Sequence, residues 1–416
     1  MSKKKLLGTL ALVICIAMVA GLLLTGCQGA GGKKGESGKF TFVIAQYSNA
    51  TEPFARKVVE DFQKENKNIE IDLQVVGWDI IEQKINTMVS TKQAPDLLNF
   101  SYFSRFVEDD LLMEVEEVIS PELKEKFYDS FYDACKIDGK AYAMPFLASI
   151  RSLYYNKAVF EQAGITEPPK TWSELIDVCK VIKEKTGIDP FGIEMTNFEG
   201  QAFFAYFIWG NGGDFKRDGK WVINSPENIE AVQFMVDLIN KEKATNPQPT
   251  AINRDELQKV FGQGKLGMLI TANFFPTILK SEAPDCEYGI APIPVNEGKP
   301  PMSLGVQDFL MIFNSTKVPG AIGKFLDFFF EDSRYEEFMN IEGMLPATET
   351  AGKIMAGKDE TIKQFIDLLP VAKFYPLTDP KYGEMRLEII KACQEAILGE
   401  KTVEQALNDA QKKAEG

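Results

Sequence analysis

Histidine is absent from all 416 residues. Without it there is no Ser–His–Asp triad, no Cys–His dyad and no HExxH zinc site. Basic residues are short as well, 46 Lys and Arg against 60 Asp and Glu, for a formal charge of −14. That excess of acid argues against a nucleic-acid partner, whose phosphates must be neutralised by Lys and Arg. Cysteine is sparse: Cys15, Cys27, Cys135, Cys179, Cys286 and Cys393 form no CxxC pair. No Gly-Lys is followed by Ser or Thr, so there is no phosphate-binding P-loop, and GxSxG is missing too. What stays open is carboxylate chemistry, carboxylate metal binding, or ligand binding without covalent chemistry. The sequence calls for no cofactor and no metal.

What is present is ordinary globular composition, 45% apolar and 25% charged, on a chain long enough for about two or three domains. The first 27 residues read as an address. Lys3, Lys4 and Lys5 precede an uncharged, mostly apolar run from Leu6 to Leu24. Leu24-Thr25-Gly26-Cys27 then resembles the bacterial lipobox, which implies cleavage after Gly26 and lipid on Cys27. The alternative is a plain cleaved signal or a membrane anchor with a chance Cys. Residues 28–39, rich in Gly, Lys and Ser, read as a flexible tether. Losing residues 1–26 removes three lysines and no acid, moving the charge from −14 to −17. Cys179 and Cys393 fall inside helical patterns and read as core thiols; no disulfide connectivity follows from the spacing.

Beyond the tether, strand and helix patterns alternate. Residues 40–45 and 69–76 read as strands, 52–66 and 80–90 as amphipathic helices, and 96–100 as a third strand. Such a β-α-β-α-β order implies parallel strands with helices on their faces. Residues 145–156 read as extended. Thr171-x-x-Glu174 and Thr402-x-x-Gln405 are capping boxes, and Ser225-Pro226 opens a further helix. Gly262-x-Gly264-x-x-Gly267 matches a dinucleotide fingerprint, but a helix precedes it and a strand follows, the reverse of what such a site needs. No internal repeat is visible.

Aromatic residues cluster where strands end: Tyr47 after the first, Trp78 after the second, Phe100, Tyr102 and Phe103 after the third. Open α/β sheets bind ligands beyond the carboxyl ends of their strands, and flat aromatic faces stack on sugar rings or cations. Core packing is the competing reading for each Phe. Trp78, between Gly77 and Asp79, reads less like core. A pair of cleft carboxylates for glycoside hydrolysis is the enzymatic alternative.

These segments together resemble the extracytoplasmic solute-binding proteins of ABC importers, in the large sugar-binding family that includes the maltose-binding protein. The resemblance runs over residues 40–415 and rests on ordered short motifs. They are Phe54–Glu65, Ala94-Pro95-Asp96-Leu97, Asp138–Pro145, Leu153–Lys157, Pro168–Trp172, Phe261–Met268, Gly343–Pro346 and Thr402–Leu407. It implies an α/β fold of two hinge-linked lobes (type II), each with a central mixed sheet flanked by helices. Crossings are expected near 148–149, 305–306 and 343–345. Lobe one is expected over 40–148 plus 306–343, and lobe two over 149–305 plus 344–416.

The implied ligand-contacting positions are Gln46, Tyr47, Trp78, Phe100, Phe103, Ser149, Arg151, Phe274, Asp308 and Arg386. The implied partners are a small-molecule sugar, the permease subunits of the importer, and a membrane reached through lipid on Cys27, for a monomer on the extracytoplasmic face. Arg151 and Arg386 raise a second ligand class, an anionic solute such as a uronate or a glycerol phosphodiester, held by bidentate hydrogen bonds. Their structural alternative is that Arg386 lies on a charged helix face and Arg151 bridges the lobes.

Overall fold

Thirteen residues of one strand organise the molecule. A computed structural model describes residues 35–368 and 371–416; Cys27 and the tether up to residue 34 lie outside the described residues. The chain opens with β1 (Gly38–Gln46), α1 (Thr51–Glu65), β2 (Ile69–Gly77), α2 (Ile81–Ser90) and β3 (Leu97–Phe100). These match the five expected elements within one or two residues. In α1 the apolar positions Phe54, Val58, Val59 and Phe62 share one face and are all buried. β1 pairs parallel with β2 on one side and β3 on the other, which is why residues 42–45 are uniformly apolar and buried rather than alternating.

The long strand is β4 (Met144–Asn156). It is followed by α3 (Trp172–Thr186), β5 (Asp189–Gly192), α4 (Gly200–Gly210), α5 (Pro226–Asn240), α6 (Arg254–Gly262), β6 (Leu266–Ala272), β7 (Tyr288–Ala291) and β8 (Ser303–Ile312). The capping box at Thr171 closes with both of its bonds, and the Gly262–Gly267 stretch joins α6 to β6, helix before strand. Strand order is β2-β1-β3-β8-β4-β6-β5. From Met144 to Ile150, β4 pairs antiparallel with β8. From Arg151 to Tyr155 it pairs antiparallel with β6 instead. The strand therefore leaves one lobe and enters the other at Ile150–Arg151. The β4–β8 register shifts between Asp308 and Phe309, opposite Leu147 and Pro145. Such a bulge re-aims neighbouring side chains and accommodates a proline, which has no N–H for the ladder.

After β8 come α7 (Pro319–Phe329), α8 (Asp332–Glu342), β9 (Leu345–Pro346) and α9 (Glu349–Lys358), then β10 (Ala372–Lys373), α10 (Tyr382–Ile397) and α11 (Val403–Glu415). Gly343 ends α8 with φ +66°. β9 then returns to pair with β4 at Leu147 and Ala148. The stretch that follows, expected in lobe two from residue 344, instead bonds to lobe-one residues. The Tyr128 amide donates to the Ala347 carbonyl at 3.1 Å and the Glu349 amide to the Lys126 carbonyl at 2.9 Å. Its apolar residues Ala351 and Met355 join the core built around Phe40 and Phe62. Chain passage through the crossing and helix packing are different constraints, and sequence pattern reports only the first. α10 and α11 pack on α4 and α5 in the other lobe.

Among the described residues, Cys135, Cys179, Cys286 and Cys393 are free thiols, all but Cys286 buried. Burial pushes the thiols of Cys135, Cys179 and Cys393 up in pKa, so they stay protonated and act as small apolar groups. No helix among the described residues is long and apolar enough to cross a membrane.

Candidate functional site in the interlobe cavity

A cavity of about 140 Å3 lies where β4 and β8 cross between the lobes. Eight of the ten expected positions line it: Tyr47, Trp78, Phe100, Ser149, Arg151, Phe274, Asp308 and Arg386. Two do not. Phe103 is fully buried and packs edge-on against Phe309, with ring centroids 5.1 Å apart. Gln46, the last residue of β1, lies outside the lining. Being next to a lining residue in sequence turns a side chain toward the opposite face when the backbone is extended.

One wall is aromatic. Trp78 lies nearly parallel to Phe100, with centroids 6.3 Å apart and planes at 22°, and Tyr47 meets Trp78 edge-on at 5.6 Å. The side chain of Trp78 is only half-buried, which leaves ring surface for a ligand. Facing residues include Phe274, Phe198 and Tyr375, the last stacked on Tyr382 at 5.5 Å and 29°.

The floor is ionic and paired throughout. Arg151 donates through Nη1 to Ser149 Oγ at 2.6 Å and through Nη2 to Glu199 Oε1. Arg254 donates to the other Glu199 oxygen at 2.7 Å and holds Asp255 with its remaining face. Burial alone would raise the Glu199 pKa, but the two guanidiniums outweigh it and hold the carboxyl below its ordinary value. For Arg151, burial opposes the charge and Glu199 more than restores it.

Asp308, re-aimed by the bulge, accepts from Ser101 Oγ at 2.7 Å and from the Tyr47 hydroxyl at 3.0 Å. Burial raises the pKa of both partners, with the Asp308 charge a second cause for Tyr47, so Tyr47 remains a neutral donor. Arg386 reaches across the lobes. Its Nη2 donates to Glu82 Oε2 at 2.6 Å and its Nη1 to the Asn197 carbonyl at 2.9 Å. The Tyr102 hydroxyl fills the other Glu82 oxygen at 2.5 Å.

Two consequences follow. The cavity's charged side chains, Arg151, Arg254 and Arg386 against Glu82, Glu199 and Asp308, balance to zero. Yet three buried donors in the lining are left without a partner: Arg151 Nε, Arg386 Nε and the Tyr375 hydroxyl. Unpaired buried donors are costly.

The pattern of the sequence does not reveal Glu82, Glu199, Arg254 or Tyr375. Acidic and basic residues normally mark solvated faces, and only packing shows that Glu199 and Arg254 are largely enclosed. The one local signal is Glu199 directly before the glycine that opens α4.

The model of the bacterial extracellular solute-binding protein family matches residues 47–333. A binding protein of Brucella abortus is 32% identical over 385 residues, covering 91% of this chain and 93% of that protein. An ABC transporter solute-binding protein of Thermotoga lettingae, solved with α-D-tagatose bound, superposes with a TM-score of 0.82 at 23% identity, covering 91% of this chain and 99% of that one. The maltose-bound MalE3 of T. maritima gives 0.80 at 21% identity, with 91% and 99% covered. The fold, its crossing strands and these matches agree, and the chain belongs to the bacterial extracellular solute-binding protein family.

Proposed function

We propose that this receptor captures a neutral carbohydrate between its lobes and presents it to the permease of an ABC importer. The observation that carries the reading is the combination in one cavity of aromatic faces and balanced charge. Ring faces of a sugar stack on aromatics, and its hydroxyls exchange hydrogen bonds with polar side chains. The sugars carried by the two solved relatives support the same class. An anionic solute, the second class raised by the two arginines, would need a surplus cation, and Arg151, Arg254 and Arg386 each already face a carboxylate.

A non-catalytic role is part of the proposal. The cavity carboxylates are engaged as partners of arginines and hydroxyls rather than left as a facing acid–base pair. Each carboxylate oxygen of Glu82, Glu199 and Asp308 already accepts a hydrogen bond. The working unit is a monomer with lobe one over 40–148 and 306–343, carrying 344–358 with it. It is tethered at the extracytoplasmic face through lipid on Cys27, and the mass of the N-terminal peptide from membranes tests the lipid.

The ligand class is tested by a thermal-shift screen against neutral and acidic sugars, followed by calorimetry on the hits. A ligand that binds only the native state raises stability by RT ln(1 + [L]/Kd). Stabilisation by neutral sugars is expected; stabilisation by uronates or phosphodiesters alone would move the assignment to the anionic class.

A further inference from the structure

The inner cavity is not the only space between the lobes. An outer groove of about 910 Å3 opens to solvent beside it, and Trp78, Glu82, Asn197, Phe198 and Arg386 border both. The partition is thus made largely by the interlobe ion pair and its supports. Arg386 is 8% exposed and Glu82 31%, so the cation is the more deeply buried end of the pair. The inner space is small. A cavity of about 150 Å3 takes one benzene ring, and this one measures about 140 Å3. A second sugar ring has no room inside and would have to pass where Glu82 meets Arg386. Parting the two with the lobes closed would strand a buried guanidinium, which is strongly unfavourable.

We propose that the Glu82–Arg386 pair sets ligand length, confining the receptor to a single sugar ring and excluding longer saccharides. This rests on the carbohydrate reading. Tyr102 and the Asn197 carbonyl act as positioning groups that hold the two charged ends in register from opposite lobes.

The test is calorimetry of the purified receptor against neutral monosaccharides and the disaccharides built from them. Wild type is expected to bind one monosaccharide and to prefer it by roughly a hundredfold over its disaccharides. In Glu82→Ala the inner cavity joins the groove, and disaccharide affinity is expected to rise by about tenfold or more. The double variant Glu82→Ala/Arg386→Gln leaves no unpaired buried charge and is expected to show the same gain, which covers poor folding of the single variant. Glu82→Gln keeps the wall's volume but removes the ion pair, so its preference for one ring is expected to weaken. Wild type binding disaccharides as tightly as monosaccharides, or an unchanged ratio in folded variants, overturns the length gate while the carbohydrate reading stands. No binding of any sugar by wild type removes both.

Discussion

Arg151 and Glu199 form an ion pair almost closed to water, with side chains 4% and 10% exposed, at the point where β4 passes between the lobes. Arg254 completes the triad from α6. Glu199→Gln leaves two buried guanidiniums around a neutral amide, and breaking a buried pair in this way costs about 3–5 kcal/mol. Chemical denaturation should show that loss at neutral pH. A carboxylate held below its ordinary value of 4.5 stabilises the fold above that pH and loses the contribution as pH falls through its folded value. The gap between wild type and variant should therefore persist to pH 4.5 and shrink only below it.

Glu194 predicts the opposite sign. Burial, then the Glu199 charge, push its carboxyl from 4.5 up to about 7. Its oxygen Oε1 accepts from Thr196 and the Glu199 amide, while Oε2 is buried without a partner. The folded state then keeps a proton that the unfolded chain has lost. The stabilisation is complete below pH 4.5 and is lost as pH rises to about 7. Glu194→Gln should remove roughly 3 kcal/mol of pH dependence across that window, read as flatter melting temperatures.

Trp78 offers a partly buried ring backed by Phe100 and Tyr47. Trp78→Ala is expected to weaken sugar binding by about tenfold, the scale of one aromatic stacking contact. Its melting temperature without ligand should change little. Calorimetry beside a thermal melt separates the two effects.

Gly343 sits at φ +66°, and a Cβ there would lie 2.5 Å from Thr277 Oγ1 and 3.1 Å from the Phe274 Cα. Its carbonyl also accepts from Asn273 at 2.7 Å. Gly343→Ala meets both backbone strain and the wall that carries Phe274, for a cost of about 1–3 kcal/mol. Lower stability should come with weaker sugar binding, because the strain reaches a residue lining the cavity.

Local pattern carries far in this molecule. α1, β1 and the capping boxes at Thr171 and Thr402 are written in spacings of three, four and two residues and in side chains that satisfy their own helix ends. Those are short-range interactions, complete within a few positions. Tyr47, Trp78 and Phe100 could be placed at strand ends for the same reason. Phe103 could not be told from Phe100, because both are aromatic and three residues apart and only the packed fold says which one lines the cavity.

By itself, then, the sequence determined the order of elements, the absence of histidine chemistry, and the family through its ordered motifs. Only the tertiary structure decided that Glu199 and Arg254 are largely enclosed, that the cavity holds balanced charge, and that the stretch from Ala347 to Met355 packs beside Lys126, Tyr128 and the core around Phe40. The reason is physical. Helix and strand propensity act between near neighbours, whereas pairing Arg386 with Glu82, 304 positions away, depends on two lobes meeting.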